Sequence, residues 1–217
     1  HPCQIVVIDD GSDEPIKDIV EATCLRCHHR GWKFCRQENE GVAGALNMGI
    51  EISDGDYIQW LPSDDLFMAD KTARQLEAID NHRVCYTGYE LGIPKPQATY
   101  LAAQYPTQEV FFNQLKQHCF INAATVMWSR SVFEDIGVFD PRIIHAQDYE
   151  FLLRCASKWN FQVVAEPMVR RRVHAGQMIN TLRDEVEAEK KRQDMRYLRD
   201  TYGAVGGVWT PEGTESL

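Results

Sequence analysis

The 217-residue chain has no apolar run near the roughly 18 residues a membrane span needs. It has no basic excess either. Its 32 Asp and Glu outweigh 23 Lys and Arg, for a net charge of −9, which argues against nucleic acid as a partner. There is no internal repeat and no linker long enough to divide the chain. No Gly-rich, basic phosphate loop lies near the start, which weighs against a nucleotidyltransferase. The opening residues His1-Pro2-Cys3 show no leader pattern. The seven cysteines (3, 24, 27, 35, 85, 119 and 155) are odd in number and sit in apolar runs. They read as free thiols in a reducing compartment, so the expected location is the cytoplasm. Intrinsic disorder is excluded by apolar and aromatic residues spread along the whole chain.

What is present alternates. Cys3–Ile8 reads as a buried parallel strand, closed by the turn residues Asp9-Asp10-Gly11-Ser12. Residues 16–29 carry a helical stripe, 32–36 a strand, 42–53 a helix, 56–61 a strand and 70–81 a helix. Such alternation predicts an α/β sheet with parallel strands and crossover helices. Ligands in such sheets lie beyond the carboxyl ends of the strands. The second half is mixed. Strands are expected at 84–88, 122–128, 161–165 and 168–173, and helices at 108–118, 129–136, 148–159 and 181–202. Residues 93–106 read as a loop, and the tail from Gly203 as fraying.

Four features could carry chemistry. Asp64-Asp65 follows a strand. Adjacent carboxylates suit a hard divalent cation that holds a diphosphate, although a solvated acidic turn has the same pattern. Asp10 ends the first strand, where an acid can bond a nucleobase or ribose; the plain alternative is a turn before a helix. Asp148 shares a helix face with Phe151, Leu152 and Cys155, as a capping acid or as a general base. Strand alternation puts Arg170, Arg172 and His174 on one face, which could meet a diphosphate or its metal, or simply water.

In chain order these features read IVVIDDGS, NEGVAGALNMGIEISDGDYIQWLPSDD, TVMWSRSVFEDIGVFD, QDYEFLLR and RVHAGQM. The order resembles family 2 glycosyltransferases of the GT-A fold over about residues 4–178. In the middle block, Asn39, Gly41, Ala45, Asn47, Gly49, Gly55, Asp56 and the acidic pair fall at the family's spacings. The resemblance implies a GT-A (Rossmann-like) mixed, mainly parallel sheet flanked by helices, and an inverting, metal-dependent sugar transfer. By it, Asp10 contacts the nucleobase, Asp64 binds near the ribose, and Asp65 holds Mn²⁺ or Mg²⁺. Arg172 and His174 contact the diphosphate or its metal, and Asp148 is the base. The donor is a nucleotide-diphosphate sugar and the acceptor a carbohydrate or glycolipid, with room for a peripheral contact at the inner face of a membrane.

Two departures stand out. The family's usual first strand and helix, about 35–45 residues for such a unit, are absent before the DDGS strand. That suggests a fragment, and it also supports a second reading, a catalytically silent nucleotide-sugar-binding or partner-binding domain. Gln147 stands where an acid often precedes the base. A rival motif, Cys24-Leu25-Arg26-Cys27-His28, matches c-type haem attachment, and with His29 and Cys35 nearby a zinc site. Its cysteines instead continue the stripe of Ile16, Ile19 and Val20 as small hydrophobes. The expected layout is one domain over 1–202. Residues 1–90 bind the donor, 91–180 shape the acceptor site, and 181–202 form a charged helix packed by Leu182, Val186, Met195 and Leu198. The tail is 203–217.

Overall fold

The computed structural model describes residues 3–26, 31–174, 185–204, 209–210 and 213–214. In chain order the elements are β1 (Ile5–Asp10), α1 (Lys17–Arg26), β2 (Trp32–Gln37), α2 (Gly41–Ile52), β3 (Tyr57–Gln59), β4 (Leu66–Phe67), α3 (Lys71–Ile79), β5 (Val84–Leu91), β6 (Ala98–Tyr100) and α4 (Gln108–Gln117). A single 3₁₀ turn at Ala123–Thr125 leads into β7 (Met127–Ser129), α5 (Arg130–Ile136), α6 (Gln147–Ala156), β8 (Gln162–Arg171) and α7 (Glu185–Tyr202). Two short strands follow, β9 (Trp209–Thr210) and β10 (Gly213–Thr214), paired antiparallel.

The main sheet runs β3-β7-β5-β8-β4, with β6 also on β5. Its centre, β5, is buried along nearly its whole length. That burial explains the apolar run Val84-Cys85-Tyr86, which faces helices on both sides. The core between sheet and helices is aromatic. Phe151 stacks on Phe133 with centroids 5.3 Å apart, and Phe139 and Trp128 close the cluster. Met195 and Leu198 bring α7 into the same core, as its stripe predicts. Leu182 lies outside the described residues, as does the side chain of Val186.

Several expectations need correction. The sheet is mixed, as expected, with the two longest ladders β1–β2 and β5–β8 parallel, but the shorter ladders β3–β7, β4–β8, β5–β6 and β5–β7 are antiparallel. Short returns such as β4 and β6 need no crossover helix, so they reverse direction. Residues 162–171 form one bulged strand rather than two, and the segment read as a loop contains β6.

β1 is not a buried strand. Of its six residues only Asp9 is buried, because β1 pairs with β2 alone and the two form a separate sheet. The stripe of α1 is not packed as expected either, since Ile19 is 69% exposed. The main packing of α1 is on β2, and a two-stranded sheet offers too little surface to cover a helix face. Cys27 and His28 of the haem-like motif lie outside the described residues. Cys3, Cys35, Cys85, Cys119 and Cys155 are free thiols. Among the described residues no helix is long and apolar enough to cross a membrane.

Candidate active site

The acidic pair is positioned by a short antiparallel ladder. Pro62 accepts the N–H of Asp65 in a turn, and β4 then pairs Leu66 with Arg170 and Phe67 with Val169. Continuing that register sets Asp65 and Asp64 against the end of β8. The N–H of Arg172 donates to Asp65 Oδ1 at 3.0 Å, and Arg172 Nε donates to the Asp64 carbonyl at 3.1 Å. His174 Nε2 lies 3.0 Å from Asp64 Oδ2. The structure thus brings the two acids, Arg172 and His174 together beyond the end of β8.

Arg171 was missed from the sequence. Its Nε is 3.7 Å from Asp65 Oδ2, with both side chains largely buried. Its charge also reaches Asp148, whose carboxyl it pulls down. The signal was available in the run Arg170-Arg171-Arg172. Alternation drew attention to one face of the strand, and Arg171 is on the other, the face that meets the second acid. Arg170 turns away to Glu90, at 2.7 Å.

Asp148 sits in the first turn of α6 and is half-buried. Burial pushes its carboxyl above the usual range. The N–H of Tyr149, its own N–H and Arg171 pull the other way. Asp65 is likewise raised by burial, against the Arg172 N–H and the Arg171 charge. Arg171 thus lies against Asp65 and its charge reaches Asp148, while His174 is paired with the neighbouring Asp64. The Arg171 charge favours the ionised form of both carboxyls against the burial that raises them.

Asp10 stands apart from this group. Its Oδ1 accepts Gln37 Nε2 and the N–H of Glu40, each at 2.9 Å, at the carboxyl end of the β1–β2 sheet. Its neighbour Asp9 is a structural acid. The N–H of Ser12 and the guanidinium of Arg36 hold its carboxyl below the ordinary range.

The model of the family described as glycosyl transferase family 2 matches residues 1–137. The chain belongs to that family. An uncharacterised glycosyltransferase of Rickettsia typhi is 30% identical over 194 residues, covering 85% of this chain and 59% of its own. A second relative is the Escherichia coli UDP-Glc:alpha-D-GlcNAc-diphosphoundecaprenol beta-1,3-glucosyltransferase WfaP. It is 25% identical over 71% of this chain and 59% of its own. The chain thus spans about six-tenths of the length of these relatives.

Among solved structures, Staphylococcus aureus TarS 1–349 with UDP-GlcNAc superposes with TM-score 0.66 at 16% identity, over 91% of this chain and 58% of TarS. The Pyrobaculum calidifontis mannosyltransferase PcManGT, with GDP-Man and Mn²⁺, gives 0.58 at 15%, over 89% and 55%. These place the family 2 chain in the GT-A fold.

Proposed function

We propose that this chain carries the transfer site of an inverting glycosyltransferase, which moves a sugar from a nucleotide diphosphate to an acceptor hydroxyl. The observation that carries the reading is the line Asp148–Arg171–Asp65 beside Asp64 and His174. The acceptor oxygen attacks the anomeric carbon as the bond from that carbon to the diphosphate oxygen breaks. Asp148 takes the hydroxyl proton. A carboxyl raised by burial is a stronger base than a solvated one, and a general base contributes about 10²–10⁴-fold. Arg172 and His174 face the leaving diphosphate, and Asp10 the nucleobase.

Carboxylate donors suit Mn²⁺ or Mg²⁺. Among the described residues no three Asp, Glu, His or Cys side chains converge. Mg²⁺ and Mn²⁺ are commonly held by one or two carboxylates and completed by substrate phosphates. Asp65 would hold it, with Asp64 and His174 beside it, and it would act as a Lewis acid on the leaving diphosphate. The acceptor is a carbohydrate or glycolipid, by analogy with the lipid-linked sugar in the name of the Escherichia coli relative. The reaction is assigned to the cytoplasm, in reach of the inner face of a membrane.

The test has two parts. Melting temperature is measured with UDP, GDP and dTDP, each with and without Mn²⁺; a nucleotide at a hundredfold excess over its dissociation constant stabilises by about 2.7 kcal/mol. Release of nucleoside diphosphate from UDP-glucose, UDP-GlcNAc and GDP-mannose is then followed in the chain and in Asp148→Asn. The expected outcome is a Mn²⁺-dependent shift with one base, and turnover that drops at least a hundredfold in the variant while the shift persists. Binding without turnover in the unaltered chain would favour the silent-domain reading. Absence of both would remove the proposal.

A further inference from the structure

The loop that delivers Asp148 is tied down from outside, and one tie has no part in the chemistry above. Residues 137–146 run from α5 to α6. The first residue before α6, Ala146, offers no side-chain cap to the helix's amino end. Directly before it, the N–H groups of Ile144 and His145 both donate to one oxygen, Oδ2 of Asp194 on α7, at 3.0 and 2.7 Å. Asp194 is 7% exposed. A buried carboxylate is costly unless hydrogen-bonded, so these two amides are what hold it in place.

A second tie lies one helical turn on. The Tyr202 hydroxyl donates to Glu150 Oε1 at 2.7 Å. Glu150 in turn takes a two-point pair from Arg154, whose Nη1 donates to the Ile136 carbonyl at 2.8 Å. Both ties originate on α7 and end within four residues of Asp148, one before it and one after. Met195 and Leu198, buried in the main core, fix α7 as the rigid side of the arrangement.

We propose that α7 is a latch for the catalytic loop and that Asp194 is a positioning residue. By holding consecutive amides just ahead of α6, it sets where the Asp148 carboxylate lies relative to the reacting hydroxyl. Misplacing a catalytic group by about 1 Å costs on the order of a hundredfold. Donor binding has no reason to change, because Asp64 and Asp65 just precede β4 and Arg172 and His174 just follow β8, away from the loop that Asp194 holds. The proposal rests on the reading of Asp148 as the base.

The experiment compares Asp194→Ala and Asp194→Asn with the unaltered chain. Amide hydrogen exchange reads the latch directly. In Asp194→Ala the amides of Ile144 and His145 are expected to exchange at least tenfold faster, with β5 amides unchanged. Turnover of whichever donor of the three sugars is active is expected to fall about 10–100-fold, with its KM within twofold. Asp194→Asn keeps an oxygen in place without the charge, so exchange and turnover fall between the two.

Unchanged exchange at both amides overturns the latch. Unchanged turnover in a variant with fast exchange overturns the positioning role, and so does a loss that appears in KM rather than kcat. Where Asp194→Ala does not fold, Asp194→Asn decides: faster exchange at the two amides with unaltered UDP or GDP affinity supports the proposal, and unchanged exchange overturns it. Asp148→Asn, run alongside, separates the two ideas. Retained turnover there removes the base assignment and leaves the latch to be judged by exchange.

Discussion

Lys71 is wholly buried with no carboxylate as its partner. Its Nζ donates to Gln59 Oε1 and Gln75 Oε1, each at 2.7 Å, and lies 4.1 Å from the centre of the Phe67 ring. Burial pushes the ammonium down to about 7, from the usual 10.5, with Cys85 pulling slightly the other way. The unfolded chain therefore binds more protons than the folded one between pH 7 and about 10.4, and stability rises with pH across that window. Each unit inside it is worth up to about 1.4 kcal/mol. Melting temperature is expected to climb from pH 7 to pH 9, and Lys71→Met is expected to flatten the climb. An equal slope in the variant would show that Lys71 is not the group responsible. Nothing in the sequence marks Lys71, because a lysine at the start of an amphipathic helix normally faces water.

At the scale of elements, the central pair β5–β8 turns on one glycine. A Cβ on Gly88 would sit 2.4 Å from the Tyr100 carbonyl, 3.0 Å from that of Ala165 and 3.1 Å from the Pro167 nitrogen. All three are backbone atoms and cannot rotate away. The β5–β8 register shifts at the same residue, opposite Pro167, which has no N–H to give the ladder. Gly88→Ala is therefore expected to cost about 1–3 kcal/mol, read as a lower denaturant midpoint. Faster exchange is expected at the β6 amides that pair with β5.

The same pair shows where a sequence reading stops. The helices α2, α3, α4 and α5 were legible to within two residues and α6 to within three, because their apolar residues recur at helical spacing. The strand β8 was not. Glu166-Pro167 looks like a break, and only the glycine on the neighbouring strand makes room for it as a bulge. The acidic pair, Arg172 and His174 were legible as residue types after strand ends. Arg171 stood in a visible basic run, but its contact with Asp65 depends on a β4–β8 register that no local pattern specifies. Asp194 lies some fifty residues from the amides it holds, so its role appears only in the fold.

At the scale of the whole molecule, the β1–β2 sheet and the six-stranded sheet share no strand pairing. The helix α2 joins them. Gln4 and Lys33 reach Asp54 just beyond its end, on the small-sheet side. On the other side Arg130 donates to the carbonyls of Gly55 and Ser53, at 2.8 and 2.9 Å. Ala43 and Ile50 enter the main core. Midway, Asn47 makes both bonds of a peptide-like pair with Phe139. Its Nδ2 donates to the Phe139 carbonyl at 2.9 Å, and its Oδ1 accepts the Phe139 N–H at 3.0 Å.

Phe139 begins the loop that Asp194 holds at its far end, so α2 and α7 grip one segment from opposite halves of the chain. Asn47→Ala strands a backbone donor and acceptor together, which costs about 1–3 kcal/mol for each buried group left without a partner. Asn47→Asp keeps the acceptor and loses the donor, so it should recover only part of that loss. If the two ties act on one loop, the effects of Asn47→Ala and Asp194→Ala on turnover will not add. The double variant will fall short of the product of the single losses, because a loop already released cannot be released again. A double-mutant cycle on turnover, with unfolding measured in parallel, checks this. Strict additivity would mean the two grips act independently, and that α2 serves stability alone.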